Sequence, residues 1–120
     1  MNFQFKKEKS FNDRKSEHEN IMKDHPNKIA IICEKVPESK IKNIDKTKYL
    51  VDGNLTIPQF AKTIKKKLDI QKEEALFFLV NGKVTLNGNL TMSEVYKKHK
   101  DKDGFLYISY AAEEIWGSKY

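Results

Sequence analysis

Helix starts are written twice in this chain in one four-residue form, Thr56-Ile-Pro-Gln59 and Thr91-Met-Ser-Glu94. In such a capping box the threonine hydroxyl accepts from the N–H three residues on. The Gln or Glu side chain reaches back to the threonine N–H, so the helix origin is pinned. The apolar runs around these two origins have strand length. Lys28-Ile-Ala-Ile-Ile-Cys-Glu34 is β-branched and stops short of Pro37, and Lys48-Tyr-Leu-Val-Asp52 runs into the turn pair Gly53-Asn54. Ala75-Leu-Phe-Phe-Leu-Val80 leads into the hairpin dipeptide Asn81-Gly82, and Asp103-Gly104 opens the last strand, Phe105-Leu-Tyr-Ile-Ser-Tyr110.

The helix after Thr56 places Phe60, Ile64 and Leu68 on one face at i+4 steps, with Lys62, Lys65 and Lys66 opposite. The helix after Thr91 is short, running through Tyr96. Upstream, Ser10 caps a polar helix from Phe11 to Lys23 that ends before Pro26. Phe11, His18, Ile21 and Met22 give it a narrow apolar stripe. Phe3 and Phe5 anchor a short leading segment to the same body. A strand pair, a crossing helix and further strands predict an α+β fold of β-grasp (ubiquitin-like) order, with two additional N-terminal helices. The expected division is a helical extension over 1–26, a core over 27–112 and a flexible tail over 113–120.

At 120 residues the chain suits one core, and 11% aromatic residues are too many for a disordered segment. No run approaches the roughly 18 apolar residues of a membrane span, and Met1 to Lys9 lack a signal-peptide h-region. Cys33 is the sole cysteine, which excludes an internal disulfide. These features lead us to expect a soluble protein of a reducing compartment. A formal charge of +6 permits acidic peptides, anionic lipid or nucleic acid as partners and selects none.

No catalytic set is written here. Cys33 sits in an apolar strand and reads as a packed thiol. His18, His25 and His99 lack metal-ligand spacing, so no metal site is expected. There is no phosphate loop or nucleophile elbow. Asp101 and Asp103 read as a solvated turn among lysines, and Glu73-Glu74 as a surface pair. Lys62, Lys65, Lys66 and Lys67 read first as a solvated helix face, lacking the interleaved aromatics of a nucleic-acid platform. Near the end, Gly117 follows Trp116. A glycine carbonyl, with no Cβ beside it, approaches a catalytic cysteine closely.

Taken together, the segments Phe11-Asn-Asp-Arg-Lys-Ser-Glu17, Asp24-His-Pro-Asn-Lys28, Asp45-Lys-Thr-Lys-Tyr-Leu-Val51, Glu74-Ala-Leu-Phe-Phe-Leu-Val-Asn81 and Phe105-Leu-Tyr-Ile-Ser-Tyr110 carry a resemblance. Leu55-Thr56, Gln59-Phe60 and Thr91-Met92 extend it. The chain resembles the autophagy-related ubiquitin-like modifiers of the GABARAP type over essentially its whole length. That resemblance implies a non-enzyme and no cofactor of its own. A cysteine protease would cut the Gly117-Ser118 bond. Activating and conjugating enzymes would then join the Gly117 carboxylate to phosphatidylethanolamine. The protein is thus expected in the cytoplasm and, lipidated, on autophagosomal membranes.

The resemblance also implies recognition of aromatic-x-x-aliphatic motifs in cargo receptors and adaptors. Glu17, Ile21, Ala30, Ile32, Lys48, Leu50 and Phe105 would surround the aromatic residue. Tyr49, Val51, Leu55, Phe60, Thr63 and Ile64 would line the aliphatic pocket, and Lys28, Lys46 and Lys67 would attract flanking acids. For Ile32, Leu50 and Phe60 a share in the core is expected as well. Ala30 and Asp52 stand where the family type has proline, Thr63 where it has leucine, and Trp116 where Phe or Tyr is usual. The alternative is an unconjugated β-grasp adaptor that binds peptides only.

Overall fold

The computed structural model describes residues 1–71 and 74–112. Two helices, α1 (Gln4–Glu8) and α2 (Phe11–Asp24), precede β1 (Lys28–Lys35) and β2 (Lys48–Asp52). Then come α3 (Ile57–Leu68), β3 (Leu76–Val80), β4 (Val84–Thr85), α4 (Met92–His99) and β5 (Leu106–Ala112). The five strands form one sheet in the order β2-β1-β5-β3-β4. β1 and β5 run parallel at its centre, and the β1–β2, β3–β5 and β3–β4 pairs are antiparallel. The fold is ubiquitin-like, with the N-terminal helices added.

Those helices decide why β1 and β5 read as continuous apolar runs. Side chains alternate between faces of a strand, so one-sided burial would give alternation in sequence. Here both faces are covered. Ile29, Ile31, Cys33, Leu106, Ile108 and Tyr110 join the main core with Phe60, Ile64 and Leu68 of α3. Ala30, Ile32, Phe105 and Tyr107 join a second core with Phe3 and Phe5, against which Ile21 and Met22 of α2 pack. Phe3 meets Tyr107 and Phe5 meets Phe105 edge to face, at 5.1 and 5.2 Å between centroids. The first N–H groups of α1 donate to the Glu34 carboxylate on β1, at 2.7 Å from Gln4 and 3.0 Å from Phe5.

Both capping boxes form as written, Thr56 with Gln59 and Thr91 with Glu94. Helix α4 runs on to His99 rather than ending at Tyr96. Lys97, Lys98 and His99 in its last turn suit the negative end of the helix dipole. Asn81 and Gly82 both take positive φ, 56° and 68°, and with Lys83 they close the β3–β4 turn. Tyr110 pins the segment after β1, accepting from the Ile44 N–H at 2.7 Å and donating to the Lys42 carbonyl at 3.0 Å. Burial pushes its hydroxyl up to about 12. Cys33 is fully buried, and desolvation drives its thiol pKa well up, so it packs as a neutral thiol.

Three expectations need correcting. Asp103 is not a solvated turn residue. It is buried, and its carboxylate accepts from Arg14 Nε at 2.9 Å, from the Tyr107 hydroxyl at 2.5 Å and from the Phe105 N–H at 2.9 Å. Phe11 leaves the apolar stripe of α2 and is exposed, with the Arg14 guanidinium 5.8 Å from its ring centroid. Leu50, expected to belong partly to the core, is also exposed. Glu73, Trp116, Gly117 and Ser118 lie outside the described residues, as does the whole segment 113–120.

Candidate functional site

Strand β2 is one edge of the sheet. Such an edge offers backbone N–H and C=O groups to an incoming strand, and lysines along it discourage indiscriminate pairing. Beside it, between β2 and the C-terminal half of α2, lies a cavity of about 510 Å³. This is within the roughly 300–1,000 Å³ of small-ligand pockets. Six of the seven residues expected around the aromatic side chain line it: Glu17, Ile21, Ala30, Lys48, Leu50 and Phe105. The seventh, Ile32, is fully buried in the second core together with Phe105 and Tyr107. It supports the wall from behind.

The alternation of β2 explains this arrangement. Lys48 and Leu50 stay exposed on the α2 side, opposite Ile32 and Ala30 of β1. Tyr49 turns to the α3 side, where its ring meets Phe60 edge to face at 5.7 Å. The floor of the cavity is held by His18, whose ring stacks edge to face on Phe105 at 5.3 Å. Burial there lowers the His18 pKa, with the nearby Asp103 and Glu19 carboxylates opposing, so the imidazole packs neutral. Gly104, at φ 101°, leaves the space His18 needs: a Cβ there would lie 2.2 Å from its Nδ1.

Glu17 stands at the rim, paired with Lys48 at 2.6 Å and with Lys9. Burial favours its neutral form, but the hydrogen bonds from Lys48 and Lys9 outweigh that and hold its carboxyl below the ordinary range. A depressed carboxyl stabilises the fold above its unfolded pKa, about 4.3 for Glu, and that contribution is lost as pH falls through the folded value. Between pH 7 and pH 3.5 the urea midpoint of Glu17→Gln should therefore fall less than that of the wild type. The difference should amount to no more than about 1 kcal/mol for a partly exposed pair. Parallel curves would show that the clasp contributes nothing.

The residues expected at the aliphatic pocket are divided by the structure. Phe60 and Ile64 are 0% exposed, and Tyr49 is buried with them in the main core. The Tyr49 hydroxyl has no hydrogen-bond partner among the described residues, and burial raises its pKa. Val51 and Leu55 are half-buried against that core, and Thr63 is exposed, its hydroxyl donating to the Gln59 carbonyl at 3.3 Å. Of the lysines expected to meet acids, Lys46 lies over the Tyr49 ring at 5.0 Å, and Lys67 is exposed on α3. Lys28 is engaged, bonding Asp52 at 2.8 Å.

One network escaped sequence reasoning: Arg14, Asp103 and Tyr107. Its signal was present, since Arg14 is the chain's sole arginine among many lysines. Arginine is the cation suited to buried, directional pairing. Among the described residues no group of three or more His, Cys, Asp or Glu is placed to hold a metal, and no helix is long and apolar enough to cross a membrane.

A family model described as "Autophagy protein Atg8 ubiquitin like" matches residues 13–117. Autophagy-related protein 8 of Vanderwaltozyma polyspora is 46% identical over 118 residues, covering 98% of this chain and 99% of its own length. That of Schizosaccharomyces pombe is 42% identical over 120 residues, covering 100% of this chain and 98% of its own. The crystal structure of Trypanosoma brucei ATG8 superposes with a TM-score of 0.88 at 36% identity, over 94% of this chain and 97% of that one. Fold, full-length identity and family match agree: the chain belongs to the Atg8 family of ubiquitin-like autophagy proteins, which are modifiers and not enzymes.

Proposed function

We propose that the chain is a lipid-conjugated modifier that recruits motif-bearing partners during autophagosome formation. A cysteine protease hydrolyses the Gly117-Ser118 bond, leaving a carboxylate with no side chain beside it. An activating enzyme then uses ATP to turn that carboxylate into an acyl adenylate and a thioester on an enzyme cysteine, and a conjugating enzyme passes the acyl group to the amine of phosphatidylethanolamine, releasing the thiol and leaving an amide. Support comes from Gly117 being the last residue matched by the family model. In this reading residues 1–26 and 27–112 form the extension and the core, and 113–120 the processed tail. The unconjugated pool is cytoplasmic and the lipidated pool sits on autophagosomal membranes.

Partner recognition rests on one observation, an apolar-walled cavity opening beside a free sheet edge. An extended peptide adds to β2 through backbone hydrogen bonds, its aromatic residue entering the cavity beside Leu50 and its aliphatic residue reaching Val51 and Leu55. Tyr49, Phe60, Thr63 and Ile64 serve the aliphatic side from beneath and around it. Lys28, Lys46 and Lys67 add charge. Burying about 150–250 Å² of aromatic surface at about 25 cal/mol per Å² supplies roughly 4–6 kcal/mol gross. Ordering the peptide opposes it, leaving micromolar affinity, about −8 kcal/mol overall. Leu50→Asp should weaken a fluorescent Trp-x-x-Leu peptide at least about tenfold, or 1.4 kcal/mol, with an unchanged melting curve because Leu50 is exposed. Unchanged affinity would remove β2 as the docking strand.

A further inference from the structure

We propose that Ser39 is a positioning residue for tail processing, its hydroxyl fixing the point at which β5 ends and the segment leading to Gly117 begins. This deepens the reading of Gly117-Ser118 as the cut bond and rests on it. β5 ends at Ala112, five residues before Gly117. Fully extended at about 3.3–3.6 Å per residue, those five reach roughly 17 Å from Ala112. A protease cysteine and Gly117 therefore meet only within that radius of the strand's end. Whatever fixes Ala112 fixes the centre of that sphere.

Beside β5, β1 stops one pairing too soon to hold Ala112. The last bond of the parallel pair runs from the Val36 N–H to the Tyr110 carbonyl at 2.8 Å. In the slanted parallel pattern the Val36 carbonyl would next accept the Ala112 N–H. It is engaged elsewhere, by the Ser39 N–H at 3.0 Å and the Lys35 ammonium at 3.0 Å. Val36 to Ser39 form a turn with Pro37 at its second position, where a fixed φ suits the bend. The turn puts the Ser39 hydroxyl in place of the missing carbonyl. Its Oγ accepts the Ala112 N–H at 3.1 Å and the Ile41 N–H at 3.4 Å. Lys35 tightens the turn, donating also to the carbonyls of Pro37 at 3.1 Å and Ser39 at 2.6 Å. Ser39 is 4% exposed, so it acts through Ala112 and not by touching an enzyme. Without the hydroxyl, the Ala112 N–H loses its acceptor and β5 frays from that end. More of the chain must then be ordered on entry to the protease.

A cysteine protease fraction, purified by its release of Ser118-Lys119-Tyr120 from the wild-type chain, tests this on the full-length protein. Losing one neutral hydrogen bond should raise the KM of Ser39→Ala about fivefold at unchanged kcat. The Ala112 N–H should exchange with deuterium faster in the same variant. Ser39→Thr, which keeps the hydroxyl, should restore both. A purely structural Ser39 would lower the melting temperature and leave the KM of the folded chain as in the wild type. That result, or an Ala112 N–H that stays protected in Ser39→Ala, overturns the proposal while leaving Gly117-Ser118 as the cut bond. If no fraction releases the tripeptide, the tail-processing reading itself fails and this inference with it.

Discussion

Gly117→Ala is expected to abolish conjugation to phosphatidylethanolamine and leave the protein wholly in its unmodified form, with no change in its melting curve. The expectation follows from what the two steps require. A protease must bring the scissile carbonyl against its cysteine, and the later amide-forming step must bring the same carbon against a lipid amine. Glycine carries no Cβ on either side of that approach, whereas alanine places a methyl group beside it. Membrane flotation of cell extracts with an anti-tag blot reads the outcome directly. A variant that still floats with membranes as the wild type does would instead favour an unconjugated adaptor, for which residue 117 has no special part.

The second large effect concerns stability. The Asp103 side chain is 0% exposed and accepts from Arg14, from Tyr107 and from the Phe105 N–H. Burial opposes the Arg14 charge most strongly, but the hydrogen bond to Asp103 together with the attraction of Tyr107, Asp103 and Asp101 outweighs it and keeps the guanidinium pKa raised. Asp103→Ala leaves that cation buried without its counter-charge and orphans two further donors. Breaking a buried pair from one side costs about 3–5 kcal/mol. For a chain of this size that corresponds to a fall in melting temperature of about 10–20 °C. Hydrogen exchange should locate the loss first in α2, which Arg14 ties to the turn before β5. Replacing both partners with apolar residues, Arg14→Met with Asp103→Leu, should recover part of it, because no uncompensated charge remains. A single variant within about 1 kcal/mol of the wild type would show the network to be ornamental.

Much of the fold was legible because local signals and tertiary demands agree. Thr56 and Thr91 mark helix origins that the structure keeps, and Asn81-Gly82 turns the chain with both residues at positive φ. The β-branched run of β1 marked a strand, while the covering of both its faces, by α3 on one side and the N-terminal helices on the other, emerges only in the folded chain. What stayed hidden depends on partners far apart in sequence. Asp103 lies among lysines in a Gly-bearing turn, a local context that reads as solvent, and its partner Arg14 is 89 residues away. Phe11 has an apolar side chain on a helix whose buried residue is Arg14, so hydropathy alone inverted their roles. The division of the aliphatic residues into exposed Thr63, half-buried Val51 and Leu55 and buried Phe60 and Ile64 depends on how closely α3 lies on β2. No periodicity reports that closeness. Gly117, by contrast, is a reading of sequence and family alone.

The mass of the protein recovered from cells, measured intact before and after delipidation, bears most directly on the central proposal. It predicts a chain lacking Ser118-Lys119-Tyr120, part of it heavier by one phosphatidylethanolamine in amide linkage. A single species retaining Tyr120 and carrying no lipid, in cells actively forming autophagosomes, would contradict it.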